Sequence, residues 1–301
     1  MPCYGPVTAF YSAEIGASGK RGLVFKRELS HSGVSLKIPC GYCIGCRLER
    51  ARQWSVRCMH EKRMHEHSTF LTLTYDNEHL PRGGTLVKRD LQLFMKRLRK
   101  SKGEGVRFYA CGEYGDFNGR PHYHLLLFNC LFGDRKFLKE NKRGDKLFCS
   151  EEVRKLWPVG HNWLGEVTTE SANYVARYIL KKVTGKKADE HYAVIDAHGE
   201  VYDREPEFTV MSRRPGIGAG YYEKYGSEVR IHDSVIVNGR EAKPPRYYDV
   251  FSELHDSAAF GKVKVQRRRR ALLLRSDNTS RRRWVKEVCT LARLKRMERS
   301  L

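Results

Sequence analysis

The chain alternates between two hydrophobic periods. Ser68 to Tyr75 (STFLTLTY) alternates and is rich in β-formers, which predicts a strand. Leu91, Phe94, Met95 and Leu98 recur at i, i+3, i+4 and i+7, which predicts a helix with Asp90 as its cap. Gly105 to Glu113 and His122 to Asn129 read as strands joined by the turn-rich Tyr114 to Pro121, an antiparallel hairpin that brings Glu113 near His122. A strand near Leu164 to Thr169 leads into a helix from Ala172 to about Val183, with Ser171 or a neighbour as N-cap. The charged stretch Arg47 to His65 reads as a helix, Val235 to Arg240 as a hairpin around Asn238-Gly239, and the chain from about Ser252 as basic helix. Between Gly185 and Glu207 the pattern loosens into a polar linker or insertion.

These elements divide the chain into a Cys-rich segment with a helix (residues 1–66), a core (67–188), a linker with a Gly/Arg loop and hairpin (189–250) and a basic extension (251–301). A length of 301 residues suffices for one sizeable core plus extensions. The charge sharpens the picture: 57 Lys and Arg against 35 Asp and Glu leave +22, a surface that attracts polyanions. Residues 261–301 hold 15 Lys or Arg and 3 acids, with Arg267, Arg268, Arg269 and Arg270 in one run, either a polyanion-binding arm or a solvated basic face. No apolar run is long enough to cross a bilayer and the start has no signal-peptide core, so a cytoplasmic setting without membrane partners is expected. Nine scattered cysteines favour thiols or metal ligands over a disulfide framework.

Chemistry concentrates in two places. In His122-Tyr123-His124, strand alternation sends both imidazoles to one face, where they can share a metal ion. Glu113 across the hairpin completes a mixed N and O donor set suited to Mg²⁺ or Mn²⁺. By itself the pair also fits two ordinary strand histidines. Tyr174 and Tyr178 lie one helical turn apart. Ala172, Val175, Ala176, Ile179, Leu180 and Val183 form the apolar stripe of that helix, and the tyrosines fall outside it with Arg177 and Lys181. Tyrosines so placed are presented as nucleophiles, their phenolate favoured by Lys181, Lys182 or a metal.

Phe70 to Tyr75 (FLTLTY), Gly119 to Phe128 (GRPHYHLLLF) and Tyr174 to Lys182 (YVARYILKK) resemble, in order, the three motifs of HUH rolling-circle initiators, above all those of gokushovirus-type Microviridae. The likeness extends to Cys40 to Cys46 (CGYCIGC) and to Met211 to Gly218 (MSRRPGIG). It implies an α+β fold with a central antiparallel five-stranded sheet flanked by helices. It also implies metal on His122 and His124 with Glu113 as third ligand, and nucleophiles Tyr174 and Tyr178. The activity implied is site-specific nicking and joining of single-stranded DNA at a replication origin in a host bacterial cytoplasm, through a 5′-phosphotyrosine. No P-loop motif is present, so a host helicase would open the duplex, with a host polymerase extending. Competing readings are a plasmid relaxase with the same chemistry and a non-catalytic zinc- and arginine-based nucleic-acid-binding or packaging protein.

Outside those motifs, Cys40, Cys43 and Cys46 are spaced to bind metal but leave a tetrahedron one ligand short, which Cys3, Cys58 or His60 would fill. Structural Zn²⁺, an iron-sulfur site and unliganded thiols all fit that spacing. Arg213 and Arg214 beside Pro215-Gly-Ile-Gly218 either grip phosphate or belong to a plain surface turn. No suitable strand leads into that glycine string, which excludes a dinucleotide fingerprint.

Overall fold

The computed structural model describes residues 3–17, 19–115, 118–141, 144–177, 182–183, 185, 188–195 and 198–298. Two compact units emerge, one of residues 1–50 with 265–301 and one of residues 51–264. In the first, β1 (Val7–Ile15) pairs on either side with β2 (Arg21–Val24) and β3 (Leu36–Ile38) in an antiparallel sheet, and the Cys40 to Cys46 segment follows into α1 (Ile44–Arg63).

The second unit is built on β4 (Ser68–Tyr75), α2 (Lys88–Lys102), β5 (Arg107–Tyr114), β6 (Pro121–Phe128), β7 (Lys136–Glu140), β8 (Lys146–Cys149), α3 (Glu151–Leu156), β9 (Gly160–Gly165) and α4 (Thr169–Arg177). After α5 (Ala188–Tyr192) come the hairpin β10 (Ala193–Ile195) and β11 (Val201–Asp203), then β12 (Phe208–Met211), α6 (Ala219–His232), β13 (Val235–Val237), β14 (Arg240–Ala242) and α7 (Arg246–His255). Helices α8 (Ser257–Leu273) and α9 (Ser280–Glu298) end the chain. No described helix is long and apolar enough to cross a membrane.

The large sheet has seven strands in the order β12-β5-β6-β4-β9-β8-β7, all antiparallel, where five were expected. The β7–β8 hairpin escapes sequence reading because β7 is exposed along its whole length and has no buried face to impose alternation. Strand β12 is four residues long and lies just past the polar stretch read as linker, yet it pairs with β5 from Phe208↔Gly112 to Met211↔Tyr109. Strand β9 ends at Gly165, earlier than the periodicity suggests. Thr168 and Ser171 exchange side-chain and backbone hydrogen bonds at 2.8 and 3.2 Å, which starts the helix. Asp90 is not the cap of α2: Val87 holds that position, and the Asp90 carboxylate accepts from the Tyr75 hydroxyl at 2.6 Å. The Asn238-Gly239 turn is as read, both residues at positive φ, which a two-residue hairpin needs.

Alternation gives the sheet two faces with separate cores. Leu71, Leu73, Tyr75, Tyr123, Leu125 and Leu127 join Leu91, Phe94 and Leu98 of α2 and Trp157 on one face. Phe70, Tyr109, Cys111, Leu126 and Phe128 join Trp54 and Cys58 of α1 and Ala172 and Val175 of α4 on the other. Val56 of α1 belongs to a further cluster with Tyr221 and Tyr222 of α6 and Tyr248 of α7. There His60 lies 2% exposed, its Nδ1 2.8 Å from the Tyr248 hydroxyl and its ring stacked on Tyr221 at 3.7 Å.

Burial, with a smaller contribution from the Arg63 charge, holds the His60 imidazole down to about 4. Unfolded, the ring takes a proton near pH ~6.5. Stability contributed by neutral His60 is therefore present above that pH and is lost as pH falls toward 4, by about 3 kcal/mol between pH 7 and 4. Urea unfolding of wild type and His60→Gln at pH 7, 5.5 and 4 checks this. The variant is expected to show the shallower pH dependence, and equal slopes would remove His60 as its origin.

Candidate functional site

Pairing of β5 with β6 sets Glu113 directly opposite His122 and Cys111 opposite His124. On the other side of β6, Thr74 opposes His122 and Thr72 opposes His124. Strand β9 adds His161 beside Thr74 and Trp163 beside Thr72. Directly paired residues share a face, so this end of the sheet carries Glu113, His122, His124, Thr72, Thr74, His161 and Trp163 together. Tyr123 points the opposite way, where its hydroxyl accepts from the Val87 amide at 2.8 Å and lies 2.9 Å from that of Tyr75. The middle residue of His-x-His is thus a core anchor that fixes the strand while its neighbours face the site.

His124 is held at both ring nitrogens: Nε2 is 2.8 Å from Glu113 Oε1, and Nδ1 is 2.9 Å from the Thr72 hydroxyl. A carboxylate only accepts, so the network puts the proton on Nε2 and has Nδ1 accept from Thr72. Both side chains of the pair are buried, at 7% and 4% exposure, and the Phe70 ring lies parallel to the imidazole at 5.9 Å. His122 is half-buried, its ring centroid 6.3 Å from that of His124 and its Nε2 turned toward Gly115. The sheet register places Glu113, His122 and His124 side by side on this face.

Above this face stands α4. Ala172, Val175 and Ala176 are buried, while Tyr174 is 40% exposed and sets its ring edge-on to His124, centroids 5.2 Å apart. Tyr178 and Lys181 lie outside the described residues, and Lys182 is exposed.

A family model, Replication-associated protein ORF2/G2P, matches residues 68–183, the stretch that carries Glu113, His122, His124 and Tyr174. Replication-associated protein VP4 of Bdellovibrio phage phiMH2K is 35% identical over 82% of this chain and 76% of its own length. The ORF2 protein of Spiroplasma virus 4 is 33% identical over 72% and 68%, and the ORF4 protein of Chlamydia phage 1 is 30% identical over 71% and 53%. The chain belongs to the replication-associated proteins of the Microviridae. No solved structure matches it.

Two groups lie outside the stretch matched by the family model. Arg213 and Arg214 are exposed on a loop whose flanks are tied down: Glu61 accepts from the Gly218 amide at 2.6 Å and from Arg107, and Arg107 donates to the Pro215 carbonyl at 2.8 Å. The glycines here serve packing. Gly218 has φ +81° at the start of α6, and a Cβ on Gly216 would sit 2.4 Å from the Tyr247 hydroxyl. Arg57, sandwiched between Trp54 and Tyr247 at 4.0 and 3.8 Å, donates to the Ile217 carbonyl at 2.9 Å. Arg267 of α8 is half-buried, and Arg268, Arg269 and Arg270 are exposed.

The other group is Cys3, Cys40, Cys43 and Cys46, whose sulfurs lie within 4.8 Å of one another, an arrangement that can hold a metal ion. Cys58 is excluded from it, being fully buried in the sheet core between α1 and α4, where desolvation pushes its thiol well up. His60, engaged with Tyr221 and Tyr248, is excluded as well.

Sequence reading missed Thr72, Trp163 and His161. The signal was present for Thr72, because Thr72 and Thr74 alternate on the same period that sets the two histidines. Replacing Thr72 by Val leaves the buried Nδ1 of His124 without its hydroxyl. The expected cost is about 1 kcal/mol, and ¹⁵N imidazole NMR should move from one tautomer toward a mixture. An unchanged spectrum would show that Thr72 does not set the proton position.

Proposed function

We propose that the chain is a metal-dependent enzyme that nicks and rejoins single-stranded DNA to start replication of a small phage genome. The observation that carries this reading is the placement of Tyr174, exposed on α4 with its ring against His124. A hydroxyl nucleophile thereby stands beside a carboxylate–imidazole pair on one sheet face, in a basic chain related to phage replication proteins.

Donor chemistry fits a small hard cation. Glu113 oxygen and His124 Nε2 are 2.8 Å apart, close to the separation of about 3 Å between adjacent ligands around octahedral Mg²⁺. His122 is the neighbouring nitrogen donor, within the same paired row as Glu113. Bound there, Mg²⁺ or Mn²⁺ would take the place of the Nε2 proton, leaving His124 protonated on Nδ1 and donating to Thr72, and would supply Lewis acidity to a non-bridging phosphate oxygen. Thr72 orients His124 from behind, as outer partners of metal-binding histidines do.

Tyr174 gives up its phenolic proton to solvent, its Oη attacks the scissile phosphorus, the bond from phosphorus to the 3′ oxygen breaks, and that oxygen takes a proton from solvent and departs as a 3′ hydroxyl. The DNA stays on the protein through a 5′-phosphotyrosine, so the diester is exchanged without hydrolysis and a later 3′ hydroxyl can reverse the step. Tyr178 provides a second acceptor, as successive rounds of cutting and joining require, and Lys181 and Lys182 are cations for the phenolate or the phosphate. The exposed Arg213 and Arg214, held outward by the anchored loop, and the Arg267 to Arg270 run bind the DNA backbone. A host helicase and polymerase complete the reaction cycle.

The decisive experiment incubates the full chain with a labelled single-stranded origin oligonucleotide and Mn²⁺. A denaturation-resistant adduct is expected, prevented by EDTA, reduced by Tyr174→Phe and abolished when Tyr178→Phe is added. Tight, salt-dependent binding with no adduct on any strand segment would favour a binding protein instead. In the same system Arg213→Ala with Arg214→Ala is expected to weaken binding for all sequences and flatten the plot of log affinity against log salt by about 0.7 per arginine. An unchanged slope would take the loop out of the DNA path.

A further inference from the structure

Residues 1–50 and 265–301 form a unit with almost no core of its own. Among its described residues Cys3, Ala9, Phe10 and Gly45 are the buried ones, while Tyr11, Ile15, Leu23, Phe25, Leu29 and Val34 are all exposed. A segment of this size with so little apolar burial needs a crosslink or a metal to hold a single structure. The four sulfurs sit where such a staple would act. Cys3 lies just before β1, Cys40 and Cys43 lie between β3 and α1, and Cys46 lies in the first turn of α1.

Their spacing matches one chemistry. Cys3 Sγ is 3.7 Å from Cys40 Sγ and 4.0 Å from Cys43 Sγ, and Cys40 Sγ is 4.0 Å from Cys46 Sγ. Zn–S bonds of about 2.3 Å set the edges of a tetrahedral tetrathiolate site at about 3.8 Å. A disulfide would need about 2.05 Å, and all four cysteines are free. Backbone amides point at the sulfurs: Tyr4 N at Cys43 (3.4 Å), Cys40 N at Cys3 (3.3 Å) and Cys43 N at Cys40 (3.3 Å). Such N–H···S contacts stabilise thiolates and orient them as ligands. An all-sulfur set selects a soft or borderline ion and rejects Mg²⁺ and Ca²⁺. Cysteines that merely pack as small apolar groups are found elsewhere in this chain, as Cys58, Cys111 and Cys130, and those are fully buried in the sheet cores, whereas Cys40, Cys43 and Cys46 are half-buried.

We infer that Cys3, Cys40, Cys43 and Cys46 bind one structural Zn²⁺ that ties the start of β1 to the start of α1. This is independent of the nicking chemistry and uses none of its residues.

The test measures metal content and thiol reactivity on the full chain purified without chelator. One zinc per chain is expected. On brief treatment with iodoacetamide followed by peptide mapping, the exposed Cys289 is expected to label while the four ligands do not. After a zinc chelator the four should label, with Cys58, Cys111 and Cys130 still protected by the cores, and added Zn²⁺ should restore protection. Cys3→Ser is expected to lower the zinc content, and should it fail to fold, the labelling of the wild type still decides. Labelling of the four at the rate of Cys289 in untreated protein, iron in place of zinc, or a disulfide among them would each overturn the proposal.

Discussion

The register of β6 against β4 and β5 is the constraint on which the rest depends. Seven consecutive pairs lock β6 to β4 and eight lock it to β5. Because side chains alternate, a slip of one residue on either side would turn His122 and His124 into the core and expel Tyr123, Leu125 and Leu127 to the site. The apolar residues pay for the polar ones. Tyr123, Leu125 and Leu127 are fully buried against α2 and Trp157, and that burial holds the opposite face at a fixed height and spacing. Trp157 adds a hydrogen bond from Nε1 to the Thr74 carbonyl at 3.0 Å, so the strand that carries the threonines is tied from the core side as well.

On the site face, burial is made tolerable by pairing. Glu113 and His124 would be costly alone in a medium of low polarity, and each answers the other, with Thr72 taking the remaining imidazole nitrogen. The arrangement is rigid because all three residues rise from adjacent strands. Tyr174 differs in that it stands on a helix at the site's open side and keeps much of its ring exposed. A rigid pair beneath a presented hydroxyl is the distribution of order that the proposed transfer reaction would need, with the substrate entering from the side of Tyr174.

The basic loop shows how packing positions charge. Glu61 is buried, yet it meets Arg107 and the Gly218 amide, and Arg107 reaches the Pro215 carbonyl. These contacts fix the loop's base, and Gly216 and Gly218 let its backbone approach the tyrosines of α7. Arg213 and Arg214 are left at the exposed tip. Their charge is free for a partner because other residues satisfy the backbone beneath them.

The sequence by itself determined that His122 and His124 share a face, that Glu113 faces His122, that Tyr174 stands off the apolar stripe of its helix, and that the chain carries a net charge of +22. Each follows from a repeat of two or 3.6 residues or from summed charge, which a chain carries whether folded or not. Only the tertiary structure decided the contacts that no local repeat encodes. Cys3 joins cysteines 37 or more residues away, Cys58 of the same helix as Cys46 turns instead into the sheet core, and Asp90 serves Tyr75 in place of a helix end. The seven-strand width of the sheet belongs with them, because β7 buries no face and β12 is too short to show a period. Such choices depend on which distant surfaces meet, and that is settled by the packing of whole elements.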